Sequence, residues 1–165
     1  MEKDSCERHW KIQIADWQEK LQVILGTKPW TQMLTFKGHG LPSTERVSAI
    51  VNMVACQKLT EAGEPLDSGE RVVKNVLKGT VLDYSQNPCR KTFTNKDGDA
   101  RCLCTSSVLY DFEQDRVLFP EEYMFVQGWP HPLEVPKGIQ KHLRVLAGEG
   151  MSLPCLGSLV WSLYL

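Results

Sequence analysis

The residues of this chain able to do chemistry are few, and most lack the neighbours that chemistry requires. Cys102 and Cys104 stand one residue apart, with Cys89 thirteen positions earlier. A structural zinc site takes four thiolate or imidazole ligands, typically in two C-x(2–4)-C pairs. Here the spacing is tighter and no second pair follows, so no metal is expected and the pair reads as two thiols on strand positions. Cys89 lies in Asn87-Pro88-Cys89-Arg90, where Arg90 and Lys91 favour a thiolate. No positioned base accompanies it, and it reads as a loop cysteine. His39, flanked by Gly38 and Gly40, has nothing nearby to orient it as a base. Glu121 and Glu122 are adjacent on an expected helix, so they point about 100° apart and share no site. In a first turn they complement the helix dipole. No G-x-G-x-x-G or P-loop pattern builds a phosphate site. Arg90, Lys91, Lys96 and Arg101 cluster where phosphates would find them, although Asp97 and Asp99 offset that charge. No catalytic residue is assigned.

The chain that must position these groups has 165 residues, enough for one domain with a core of its own. An apolar content of 42% with 24% charged residues is ordinary for a globular protein. With a net charge of −1 and a pI near 6.4, no global field recruits nucleic acid. Six scattered cysteines with no apolar leader before them point to reduced thiols and an intracellular protein. The longest apolar run, Leu153–Leu165, is about a dozen residues, too short to span a bilayer, so no membrane partner is expected.

Periodicity and capping residues lay out the elements. Trp10, Ile14, Trp17, Leu21 and Ile24/Leu25 predict an amphipathic helix ending near Gly26. Residues 27–42 read as an irregular connector. Ser43 or Thr44 caps a helix whose buried face holds Val47, Ile50, Val51, Val54 and Leu59, and which stops before Gly63. Glu70–Leu77 predicts a short helix with Val72, Val73, Val76 and Leu77 on one side. Strands are expected around 80–84, 102–108 and 116–119. Pro120 suits the first position of a helix ending at Gln127-Gly128, with Gly128 as a left-handed cap. Pro136 opens another helix with Ile139, Leu143 and Leu146 buried, closed by Gly148, and an apolar helix ends the chain. The expected class is α/β or α+β, a single small domain. Within it, residues 1–42 form an N-terminal helix and connector, 43–115 a helix with short strands, and 116–165 a C-terminal segment.

That C-terminal segment resembles the end of DNA cytosine-5 methyltransferases, which closes with a block of the form R-x-L-T-x-x-E-x-x-x-x-Q-G-F-P, then A-G-N-[SG]-[VM], a proline and an apolar helix. Arg116, Leu118, Glu122, Gln127, Gly128, Trp129 and Pro130 match the first block, with Phe119 where threonine is usual. Ala147, Gly148, Gly150, Met151 and Pro154 match the second, with Glu149 where the family has asparagine. Upstream, Val81–Asn87 with Arg90, and then Arg101–Ser107, are similar to the stretch before the first block in divergent, protist-like relatives. Ser43–Gly63 is similar to a helix that precedes it there.

The resemblance implies a C-terminal fragment or degenerate relative of an S-adenosylmethionine-dependent enzyme that methylates C5 of cytosine in DNA. It implies that Gly148, Glu149, Gly150 and Met151 line a cofactor pocket, that Arg116, Glu122, Gln127, Gly128, Trp129 and Pro130 form a structural motif, and that Arg90, Lys91 and Arg101 contact DNA. The family's F-x-G-x-G turn, catalytic Pro-Cys loop and E-N-V motif have no counterpart here. Pro88-Cys89 falls at the wrong place to be that loop. The implied fragment is therefore inactive alone, with DNA and a missing N-terminal methyltransferase half as partners, and the nucleus as its place in a eukaryote. A module that binds nucleic acid or protein without catalysis is the alternative.

Overall fold

The computed structural model describes residues 2–22, 30–86, 102–130, 132 and 134–163. Their contacts group into two compact units: Met1–Arg101 with Val108–Val117, and Cys102–Ser107 with Leu118–Leu165. Helices dominate, and three short strands form one antiparallel sheet, an α+β arrangement.

The first unit is built on α2 (Glu45–Ala62). Thr44 caps its start by accepting the Val47 N–H, and Gly63 ends it at φ +73° while the Glu64 N–H returns to the Leu59 carbonyl. Val47, Ile50, Val51, Val54 and Leu59 are all buried, as their spacing predicts. α1 (Glu2–Leu21) lays Ile14 and the partly buried Trp10, Trp17 and Leu21 on that core, and the Trp17 indole donates to Gln57 of α2 at 2.9 Å. It ends earlier than predicted, because Gln22 turns to φ +53°. Ile24, Leu25 and Gly26 lie outside the described residues.

α3 (Glu70–Leu77) buries Val73 and Leu77, but Val72 stays 38% exposed. A helix this short turns only one narrow stripe inward, and Val72 sits about 100° from Val73. β1 (Val81–Asp83), β2 (Leu109–Asp111) and β3 (Arg116–Val117) pair in that order, with Leu82 opposite Tyr110 and Asp111 opposite Arg116. The strand expected around 102–108 therefore starts at Leu109. Before it the chain turns: the Ser107 N–H bonds the Cys104 carbonyl and the Ser107 hydroxyl accepts the Cys104 N–H, both at 2.9 Å. Serine's local side-chain bonds compete with strand pairing at that point. Cys102 and Cys104 are thus exposed loop thiols, not strand thiols.

In the second unit α4 (Pro120–Val126) and α5 (Leu143–Glu149) enclose Tyr123, Leu143 and Ala147. The helix expected from Pro136 is a set of turns and a single 3-10 turn, Gln140–His142, before α5 begins. Ile139 and Leu146 remain 39% and 44% exposed, and Gly148 lies inside α5, which Gly150 closes. α6 (Leu153–Leu163) has no buried residue. No helix among the described residues is long and apolar enough to cross a membrane.

Candidate functional site

The two sequence blocks that suggested a family meet in the second unit, so the candidate site is their junction. α4 starts with Pro120 at its first turn, and the Glu122 carboxylate accepts the Phe119 N–H at 2.6 Å. Glu122 is therefore a helix cap and not half of a carboxylate pair. α4 ends in a Schellman closure: Gly128 N–H to the Phe125 carbonyl at 2.8 Å and Trp129 N–H to the Met124 carbonyl at 3.0 Å. That closure needs the left-handed backbone of Gly128, at φ +86°.

Gln127 joins the blocks. Its buried side-chain amide donates to the Ala147 carbonyl at 2.6 Å, and its backbone carbonyl accepts the Leu153 N–H at 2.7 Å. One residue of the first block thus holds both ends of the second. Gly128 faces Pro154, whose Cδ would lie 2.5 Å from an added Cβ. At Gly148 a Cβ would come within 2.4 Å of the Cys104 carbonyl and the Thr105 nitrogen. The glycines of both blocks therefore let this chain approach itself.

That bears on the expected cofactor residues. The side of Gly148 lacking a Cβ is filled by the Cys104–Thr105 backbone, so it does not face a ligand. Glu149, Gly150 and Met151 are exposed, Met151 at 61%. Glu149 presents its carboxylate to solvent. These residues do not fit S-adenosylmethionine as a pocket complete in this chain. Trp129 is 41% exposed and Pro130 exposed. Arg116 belongs to the first unit, where its guanidinium donates to Gln114 Oε1 at 2.9 and 3.1 Å and to the Val117 carbonyl at 3.3 Å. Arg90, Lys91 and Arg101, expected at DNA, and Cys89 lie outside the described residues.

The upstream match also resolves into structure. Asp83, buried at the end of β1, accepts the Ser85 N–H, the Ser85 hydroxyl at 2.6 Å and the Val108 N–H at 3.1 Å. It ties the turn after β1 to the entry of β2. Asp83→Asn keeps the shape but weakens charge-assisted bonds, and is expected to cost about 1 kcal/mol in urea unfolding. An unchanged midpoint would show that these bonds carry no net stability.

Another buried polar network is one that no spacing signalled. The Tyr110 hydroxyl, buried on β2, accepts from the Trp30 indole at 3.0 Å and donates to Asp115. Asp115, itself at φ +52°, also takes the Lys37 and Gly38 N–H groups. Burial, then the bond to Asp115, push the Tyr110 hydroxyl far above the usual tyrosine range. The pairing of the connector with β3 runs through the backbone of the exposed His39, which accepts the Val117 N–H at 2.8 Å and donates to the Asp115 carbonyl at 3.1 Å. His39 thus serves through its backbone.

An open groove of about 620 Å³ in the first unit is lined by Arg71, Lys74, Lys78, Glu64, Glu113 and Phe112. Lys74 pairs with Glu70 at 3.0 Å and Lys78 with Glu113 at 3.7 Å, so the carboxylates offset its cations. Burial pushes the Cys56 thiol up, which disfavours a thiolate. No cluster of three or more His, Cys, Asp or Glu able to hold a metal occurs among the described residues. Comparison of the chain with protein-family models, curated proteins and solved structures finds no match.

Proposed function

We propose that this chain is the C-terminal part, or a degenerate relative, of a DNA cytosine-5 methyltransferase that transfers no methyl group by itself. The observation that carries the reading is Gln127, which bonds Ala147 and Leu153 and so joins the Q-G-W-P and A-G-E-G-M blocks in one unit. The two blocks sit on neighbouring, directly packed elements, as the closing segments of one fold would. The chemistry fits the same reading. Methyl transfer to C5 needs a cysteine to add to the pyrimidine ring, and no cysteine here stands in a matching Pro-Cys loop with a glutamate partner. Losing a covalent step forfeits many orders of magnitude in rate.

On this reading S-adenosylmethionine and flipped DNA are ligands of a larger assembly. Exposed Glu149, Gly150 and Met151 form one edge of a pocket that a separate cofactor-binding half completes, and the protein acts in the nucleus of a eukaryote. Calorimetric titration with S-adenosylhomocysteine is expected to give no heat with this chain alone, even at about millimolar ligand. Micromolar binding would overturn the incomplete pocket. Sequencing the transcript upstream of the Met1 codon tests the fragment version: in-frame F-x-G-x-G, Pro-Cys and E-N-V motifs support it, and an unrelated upstream gene removes it.

A second reading, a non-catalytic interaction module, is favoured by one observation: α6 presents Leu159, Trp161 and Leu163 at 55%, 68% and 77% exposure. Its nucleic-acid form depends on Arg90, Lys91 and Arg101, and fails if the protein is not retained by DNA at low salt, where phosphate contacts are strongest.

A further inference from the structure

The loop before β2 displays two thiols on one side. Cys102 and Cys104 are exposed, and Leu103 between them is half-buried. Exposed, half-buried, exposed is the alternation by which positions i and i+2 of an open chain project together while i+1 turns inward. The loop is held from its far end. The Cys104 N–H donates to the Ser107 hydroxyl and the Cys104 carbonyl accepts the Ser107 N–H, both at 2.9 Å. The Cys104–Thr105 backbone also fills the space beside Gly148, within 2.4 Å of where a Cβ would lie. One thiol is thus carried on backbone fixed on both sides, and Leu103 tethers the other to it. Neither is in a disulfide.

We infer that Cys102 and Cys104 form a two-thiolate site for a single Cu(I) ion. Thiolate ligands select soft metals: Cu(I), zinc or iron–sulfur clusters. Ligand number decides among them. Structural zinc takes four protein ligands, and an iron–sulfur cluster takes four cysteines. No group of three or more His, Cys, Asp or Glu able to hold a metal occurs among the described residues, so this loop meets neither demand. Cu(I) has a filled d shell that imposes no further ligand, and two thiolates in line satisfy it. Ca²⁺ and Mg²⁺ need oxygen ligands, which a pair of sulfurs does not offer. Binding releases the two thiol protons to solvent and forms two S–Cu bonds in a singly anionic complex. Neither copper nor sulfur changes oxidation state. This inference does not rest on the methyltransferase reading.

Anaerobic titration of the full, reduced chain with Cu(I) held by bicinchoninate tests it, with dithionite as a reductant that offers no competing thiol. The expected result is one Cu(I) taken up per chain, with X-ray absorption at the copper edge counting two sulfur neighbours. Cys102→Ser and Cys104→Ser are each expected to weaken uptake at least about 100-fold, the top of the range for losing a residue that only orients a metal ligand. Cys155→Ser, exposed on α6, and Cys89→Ser are expected to bind like the parent. Far-UV circular dichroism confirms that every variant is folded. No uptake by the parent, uptake that survives loss of both Cys102 and Cys104, uptake lost in Cys155→Ser or Cys89→Ser, a third sulfur neighbour, or one ion shared by two chains each overturns the inference.

Discussion

Gly148→Val is expected to lower the stability of the second unit by about 3 kcal/mol or more, the upper range for forcing atoms into a packed interior. The clash is with backbone: an added Cβ would meet the Cys104 carbonyl carbon and oxygen and the Thr105 nitrogen, all at 2.4 Å. No rotamer change relieves it. α5 and the Cys102–Ser107 loop must separate, and a shift of α5 pulls the Ala147 carbonyl from Gln127. Gly157→Ala makes the matched control. It also adds a Cβ to a helix but meets nothing within 4 Å, and is expected to stabilise by about 0.5–1 kcal/mol through helix propensity. Urea unfolding followed by far-UV circular dichroism reads both. Equal midpoints for Gly148→Val and the parent would mean that Gly148 is not packed on the loop, and would return it to the list of pocket residues.

Tyr110→Phe is expected to cost about 2 kcal/mol near neutral pH. The change strands the Trp30 indole N–H in the core and removes a donor from Asp115, which keeps only its two backbone bonds. The effect has a pH signature. The Tyr110 hydroxyl is raised in the folded protein by burial and by Asp115, so the folded state holds that proton more tightly than the unfolded chain does. The proton-linked stability is therefore complete below the unfolded tyrosine value of about 10, and is lost as pH rises past it. The gap between parent and Tyr110→Phe is expected to be constant from about pH 7 to about pH 9 and to narrow above about pH 10. A gap that widens in alkali, or one absent at neutral pH, would contradict the buried hydroxyl network.

The local code of this sequence was legible where propensity and burial agree. Thr44, the Val47–Leu59 face and Gly63 specify α2 by cap, period and stop, and the helix lies there with those side chains buried. Pro120 and Gly128 bracket α4 in the same way. Legibility failed where a partner decides. Leu146 and Ile139 carry helical spacing yet stay exposed, because period marks an apolar face without saying what covers it. The strand expected around 102–108 gave way to a Ser107 turn that holds the chain closer to α5, and β2 starts at Leu109.

What depends on residues a few positions apart could be read directly: α2 and α4 with their caps, and the order of two short blocks. Only the tertiary structure decided what the glycines are for. A glycine in sequence says that something comes close, and it does not say what. Around Gly148 it is the Cys104–Thr105 backbone, and around Gly128 it is Pro154. The Gln127 link across twenty residues and the Trp30–Tyr110 bond across eighty, with Asp115 behind it, have no signature in spacing. Hydrogen bonds between residues so far apart are fixed by how helices and strands pack, and only then does a buried polar group find the partner it requires.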